Sequence, residues 1–186
     1  MGKKFSKIRK DELKDLEKST HFNRKEINEW YENYIRECPD GKLHKKEFQK
    51  MYTQFFPEGN STQFSEIIFD VFDENKDGYL NFREFILSLS IISRGTSEEK
   101  LDWAFSMYDL NRDNYITQKE MMSIIMAIYD MLGHGNKERK NSQDKIKILF
   151  RDIDTNKDGK ISKEEFIKFC RNDPSIMETL SLNFFN

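Results

Sequence analysis

Two cysteines are all that 186 residues contain. Cys38 and Cys170 form no CxxC pair and no dense framework, which fits a reducing compartment better than a disulfide-stapled secreted scaffold. The three histidines, His21, His44 and His134, do not cluster in sequence. No nucleophile motif and no phosphate-cradling glycine loop is present, so the chain does not read as an enzyme and no small-molecule substrate is implied. An excess of charge of one sign is missing too. Lys and Arg number 31 against 33 Asp and Glu, a formal net charge of −2 that argues against nucleic acid as a partner. No apolar run approaches the ~20 residues needed to cross a bilayer, and no secretory apolar region stands at the start. The length leaves room for one large domain or two small ones.

Phenylalanine, by contrast, is plentiful: 16 residues that must fill cores or line a binding surface. Internal repetition is the second positive signal. Asp73–Glu84 (DENKDGYLNFRE), Asp109–Glu120 (DLNRDNYITQKE) and Asp154–Glu165 (DTNKDGKISKEE) share the pattern D-x-N-x-D-[GN]-x-[LI]-[NTS]-x-x-E. That is the EF-hand calcium loop, and the chemistry explains the spacing. A hard dication takes six to eight oxygens at about 2.3–2.6 Å. Side chains at loop positions 1, 3 and 5, the backbone carbonyl of position 7, and a bidentate glutamate at position 12 supply them. The expected ligands are therefore Asp73, Asn75, Asp77, Tyr79 and Glu84; Asp109, Asn111, Asp113, Tyr115 and Glu120; Asp154, Asn156, Asp158, Lys160 and Glu165. Position 6 needs φ > 0, which Gly78 and Gly159 adopt freely and Asn114 tolerates. A solvated acidic turn accounts for one D-x-N-x-D but not for three matched frames. Three Ca2+ sites follow, with Mg2+ a possible occupant at rest.

The flanks read as helices. Phe64, Ile68 and Phe72 recur four apart before the first of these loops. Capping boxes are expected at Thr96 with Glu99, Asn81 with Glu84, Thr117 with Glu120 and Ser162 with Glu165. In the last three pairs the exit helix begins inside the metal site, so ion binding and helix orientation are mechanically joined.

Arg36–Glu47 (RECPDGKLHKKE) keeps the frame and discards the ligands. Position 1 is Arg36, position 3 is Cys38, a poor ligand for a hard cation, and Pro39 stiffens the turn. No calcium is expected there. Position 8 nevertheless stays aliphatic in all four loops: Leu43, Leu80, Ile116 and Ile161. These residues are expected to join loops in pairs through a short two-strand contact, so the disabled loop serves as partner to the Asp73 loop. The aromatics around it, among them Trp30, Tyr34, Phe48, Tyr52 and Phe55, are either plain core or the wall of a partner groove. At the start, MGKKFS places Gly2 four residues before Ser6, a myristoylation pattern, beside Lys3, Lys4, Lys7, Arg9 and Lys10. A single acyl chain plus a basic cluster makes a reversible membrane anchor; the alternative is a solvated basic tail.

The stretches MGKKFSK, CPDG, FQKMYTQFFPEG, VFDENKDGYLNFREFI, LSIISRGTSEEKLDWAFSMYDL, AIYDMLG and DPSIMETLSL span nearly the whole chain, and in them it resembles the neuronal calcium sensor family, most closely the frequenin type. The resemblance implies an all-α fold with two EF-hand pairs, 22–93 and 97–171, an N-terminal arm and helix at 1–21, and a C-terminal helix and tail at 172–186. It implies a groove for a target helix at Trp30, Tyr34, Phe48, Met51, Tyr52, Phe55, Phe85 and Leu89. Targets in the family include phosphatidylinositol 4-kinase, receptor kinases, guanylate cyclases and channels, reached from the cytoplasm at membrane surfaces. A calcium sensor is the function so implied; a calcium buffer and a calcineurin B-like regulatory subunit are the alternatives. The connector from Gly133 to Asn141 and the ending SLNFFN depart from the frequenin pattern, and Phe184 and Phe185 could occupy the groove themselves.

Overall fold

The computed structural model describes residues 7–133 and 136–172. Gly2, Lys3, Lys4 and the tail with Phe184 and Phe185 lie outside the described residues. Among those described, helices α1 (Lys10–Ser19), α2 (Arg24–Glu37), α3 (Lys45–Phe55), α4 (Thr62–Phe72) and α5 (Phe82–Arg94) build the first half. Helices α6 (Ser97–Tyr108), α7 (Gln118–Met131), α8 (Asn136–Ile153) and α9 (Lys163–Asn172) build the second. The strands are short: β1 (Leu43–His44), β2 (Tyr79–Leu80), β3 (Tyr115–Thr117) and β4 (Lys160–Ser162).

The position-8 pairing holds in both halves. β1 and β2 run antiparallel with Leu43 opposite Leu80, and β3 and β4 do the same with Ile116 opposite Ile161. All four side chains are buried. Each pair carries a matching brace outside the strands. The Lys42 ammonium sits 4.2 Å from the Tyr79 ring centre and the Lys160 ammonium 4.1 Å from that of Tyr115. In both, a position-7 lysine of one loop stacks on the position-7 tyrosine of its partner, a contact worth about 0.5–1 kcal/mol at an exposed site.

The helix starts follow from their caps. Asn23 and Glu26, Asn81 and Glu84, Thr96 and Glu99, and Thr117 and Glu120 form reciprocal boxes, satisfying N–H groups that a helix start would otherwise leave open. Ser162 and Glu165 bond in the same way at α9. In the Glu99 box the Thr96 N–H bond is the main reason the carboxyl stays below the usual range.

Helix α1 packs against the first pair. Leu13 and Leu16 are buried where it packs on α2 and α5, while Lys7, Arg9 and Lys10 face solvent. At the far end of α5, Arg94 grips both carboxylate oxygens of Glu26 at 3.0 and 2.7 Å and lies over the Phe22 ring. The two pairs share one continuous core, joined mainly where α4 packs on α7 and α6. Backbones approach closely at one seam. The Asn60 N–H donates to the Asp130 carbonyl at 2.8 Å, and Gly59 lies so near that a Cβ there would fall 2.1 Å from the Met131 carbonyl oxygen.

Both thiols are buried, as suits small core residues. Burial pushes Cys38 up to about 11, helped by the negative charges of Glu47 and Asp40, and burial alone pushes Cys170 up to about 12. At pH 8 the thiolate of the native protein is therefore scarce. Alkylation followed by mass spectrometry is expected to proceed at least ~100-fold more slowly on either residue than on an exposed thiol of pKa ~8.5; labelling at the exposed rate would refute this packing.

A candidate metal centre repeated three times

The three intact loops share one hydrogen-bond network through positions 1, 3, 5 and 12. Position 1 leads. Asp73 Oδ1 accepts from the Asp77 N–H at 3.2 Å and Oδ2 from the Gly78 N–H at 3.0 Å. Asp109 accepts likewise from Asp113 and Asn114 at 3.1 and 2.9 Å, and Asp154 from Asp158 and Gly159 at 3.2 and 3.0 Å. Position 3 comes next: Asn75, Asn111 and Asn156 each accept from the N–H of position 5 at 2.9–3.0 Å and donate their amide to its carboxylate at 2.9–3.1 Å. Position 5 then accepts from the position-7 N–H, at 3.2 Å for Asp77 and Tyr79, 2.9 Å for Asp113 and Tyr115, and 3.0 Å for Asp158 and Lys160.

The position-12 glutamates close the ring. Glu84, Glu120 and Glu165 each accept from the N–H of position 3 with Oε1, at 3.4, 3.2 and 3.2 Å, and from the N–H of position 9 with Oε2, at 3.0, 2.8 and 3.0 Å. One carboxylate thus spans the loop and caps the exit helix. Glu165 has extra donors. Burial alone would raise its pKa, but the Ser162 N–H and hydroxyl, the Thr155 hydroxyl and the Asn156 N–H outweigh that and bring it to about 2. Asp109 goes the other way: burial raises it, and the Asn114 and Asp113 N–H groups offset this only in part.

The backbone explains which loops can take this shape. Position 6 has φ > 0 in all four: Gly41 at 75°, Gly78 at 86°, Asn114 at 68° and Gly159 at 85°. Asn114 therefore does what its residue type allows. Position 4 is left-handed as well in the three intact loops, with Lys76 at 59°, Arg112 at 58° and Lys157 at 60°. Pro39 holds that position in the first loop, and its ring locks φ near −65°. The first loop cannot make the second left-handed turn, whatever its side chains. The sequence signal for this was the proline itself, whose φ is fixed by its ring.

As a donor set, two aspartates, an asparagine, a glutamate and a position-7 carbonyl offer hard oxygens, the chemistry of calcium and not of thiolate-loving ions. Among the described residues, no three His, Cys, Asp or Glu side chains are already drawn together tightly enough to grip an ion. Carboxylates ~4 Å apart repel by about 4 kcal/mol at an effective dielectric near 20, so it takes a cation to gather them. The residues fit the group; Arg36 and Cys38 in the first loop do not.

What holds the first loop in place is Tyr34. Its hydroxyl lies 2.5 Å from the Leu80 carbonyl and 3.0 Å from that of Gly41, bridging both loops of the pair, and burial pushes the phenol above its ordinary range. Tyr34→Phe is expected to cost about 1–2 kcal/mol in denaturant unfolding, since it strips a buried donor from two carbonyls. The expected groove residues divide accordingly. Tyr34 and Phe48 are core, 5% and 3% exposed, the latter packed on Phe69 and Phe72. Trp30 and Phe85 pack on each other, and with Tyr52 and Leu89 they are half-buried at the edge of the core. Met51 and Phe55 face solvent, Phe55 at 74%.

Helix–loop–helix units joined two by two through their loops, with hard oxygens at fixed loop positions, define an EF-hand calcium-binding protein. Residues 98–171 and 59–90 each match the EF-hand domain pair family; the disabled first loop falls outside both stretches. The chain is similar over 98% of its length to two molluscan proteins called neuronal calcium sensor 1, covering 97% of each: 45% identical to that of Lymnaea stagnalis and 46% to that of Aplysia californica. It belongs to the neuronal calcium sensor family, as a member of the frequenin type. As a member of that family it is a regulatory calcium sensor and not an enzyme. None of the described helices is long and apolar enough to cross a membrane.

Proposed function

We propose that the protein senses calcium through three loops, Asp73–Glu84, Asp109–Glu120 and Asp154–Glu165, and answers by offering apolar surface of its first pair to a helix of a target. The observation that carries this reading is the position-12 glutamate. In each loop it is at once a candidate ligand and the cap of the exit helix, so an ion that pulls on Glu84 also pulls on the start of α5. Helix α5 carries Phe85 and Leu89, and α3 carries the exposed Met51 and Phe55, the side chains a target helix would cover. The first loop binds no ion and acts as the fixed partner of the second. At rest Mg2+ can hold a loop without the same pull, because it keeps its waters. Gly2, once acylated, with the exposed Lys7, Arg9 and Lys10 provides the reversible membrane contact that brings the protein to membrane-bound targets such as a lipid kinase, a receptor kinase or a channel.

Calorimetric titration with calcium, alongside fluorescence of an apolar dye, tests this. Three ions at micromolar levels and a calcium-dependent rise in dye binding are expected. Fewer than two ions, or ions without a rise in dye binding, would remove the sensor mechanism.

A further inference from the structure

We propose that Arg112 couples calcium occupancy of the second and third loops, which belong to different EF-hand pairs; this rests on the reading above that both loops take the ion. Arg112 is position 4 of the third loop, between the candidate ligands Asn111 and Asp113. Its guanidinium crosses to the first pair and donates to the Asp70 carbonyl at 3.0 Å. That carbonyl lies just past the last backbone bond of α4, which runs from the Asp73 N–H to the Phe69 carbonyl, so it depends on side chains for a partner. Three residues on stands Asp73, position 1 of the second loop. The Lys76 ammonium, position 4 of that second loop, donates to the same Asp70 oxygen, and Lys45 pairs with the Asp70 carboxylate at 3.3 Å. The second and third loops therefore share one acceptor through equivalent residues.

The third hand holds α4 elsewhere as well. Gln63 donates to the Ser123 hydroxyl at 3.3 Å, and the Asn60 N–H just before α4 donates to Asp130 at the end of α7. The ends of α4 are thus gripped by the loop and by the exit helix of one neighbouring hand. An ion in the third loop fixes Asn111 and Asp113 and so fixes the backbone from which Arg112 reaches. A fixed Arg112 holds the last turn of α4 and with it the placement of Asp73. Linkage makes the effect reciprocal: what the third loop does for the second, the second does for the third.

The test is a cycle on the full chain titrated with calcium, read by NMR at the Gly78 amide, which reports the second loop. In the parent, disabling the third loop with Glu120→Gln is expected to weaken the second by about fivefold or more, the lower end of usual coupling factors. Arg112→Asn keeps a residue that tolerates φ > 0 but loses the reach; there the same Glu120→Gln change is expected to shift the second loop by less than about twofold, the ratio isolating the coupling. Arg112→Lys retains a donor and is expected to restore most of the effect. An undiminished ratio in Arg112→Asn, even with a lowered thermal midpoint, would make Arg112 only a cap of α4 and overturn the proposal. So would a parent that binds at both loops and shows no coupling. A parent that takes up no ion at these loops would overturn this proposal together with the reading it rests on.

Discussion

Glu120→Gln is expected to weaken calcium binding at the third loop by about a hundredfold or more, through loss of one full charge from a three-carboxylate set. The change separates metal from fold because Glu120 has two jobs. Its Oε2 accepts from the Thr117 N–H at 2.8 Å and from the Thr117 hydroxyl at 2.6 Å, while its Oε1 accepts from the Asn111 N–H at 3.2 Å. An amide can turn its oxygen to Thr117 and keep the start of α7 capped. It then points its NH2 at the Asn111 N–H and loses that bond, a cost of about 1 kcal/mol in the metal-free protein. Helix content by circular dichroism is therefore expected to hold while the ion count by calorimetry falls from three to two. The same chemical change at Glu47, whose carboxylate accepts from the His44 N–H in the first loop, is expected to leave the count at three. A Glu120→Gln protein that still takes three ions at parental affinity would end the assignment of Glu120 as a ligand.

The parts of this molecule that local sequence rules govern were legible before any coordinates. Ile116 meets Ile161 and Leu43 meets Leu80, because an aliphatic residue at a fixed loop position has nowhere else to be buried. The caps from Asn81, Thr96, Thr117 and Ser162 are where a Ser/Thr/Asn-x-x-Glu spacing puts them. What the sequence hid were contacts across long stretches of chain. Tyr34 was named by resemblance alone, and its bridge between two loops was not foreseeable, since nothing local tells which face of α2 meets the Leu80 carbonyl. Arg112 was a spacer in the repeat; only the packing of α4 on α6 and α7 brings the Asp70 carbonyl within its reach. The left-handed turn at position 4 lay between these extremes. Lys76, Arg112 and Lys157 recur there, but lysine and arginine have no preference for φ > 0 that would announce it.

Gly59→Ala is expected to lower the thermal midpoint by about 6–12 °C, the effect of ~3 kcal/mol in a chain of this size. The added Cβ would sit 2.1 Å from the Met131 carbonyl oxygen and 2.4 Å from that of Asp130. Both obstacles are main chain at the end of α7, and neither can swing aside as a side-chain tip would. Nearby, Gly133 with φ of 71° would place its own Cβ 2.7 Å from the Glu58 carbonyl oxygen, so the approach is close from both sides. Relief has to come from parting the α3–α4 corner from α7, which breaks the bond from the Asn60 N–H to Asp130. Hydrogen exchange at Asn60 is therefore expected to quicken along with the fall in midpoint. Gly41→Ala supplies the comparison: with φ of 75° and nothing within 4 Å of a Cβ, it carries only the left-handed penalty, about 1–2 kcal/mol. A Gly59→Ala loss no larger than that of Gly41→Ala, or unchanged exchange at Asn60, would mean that the seam yields far more easily than a main-chain contact should. In that case the start of α4 would be held to the third hand through the Gln63–Ser123 bond and not through the seam, and the corner that follows the exposed Phe55 would be free to move when a target arrives.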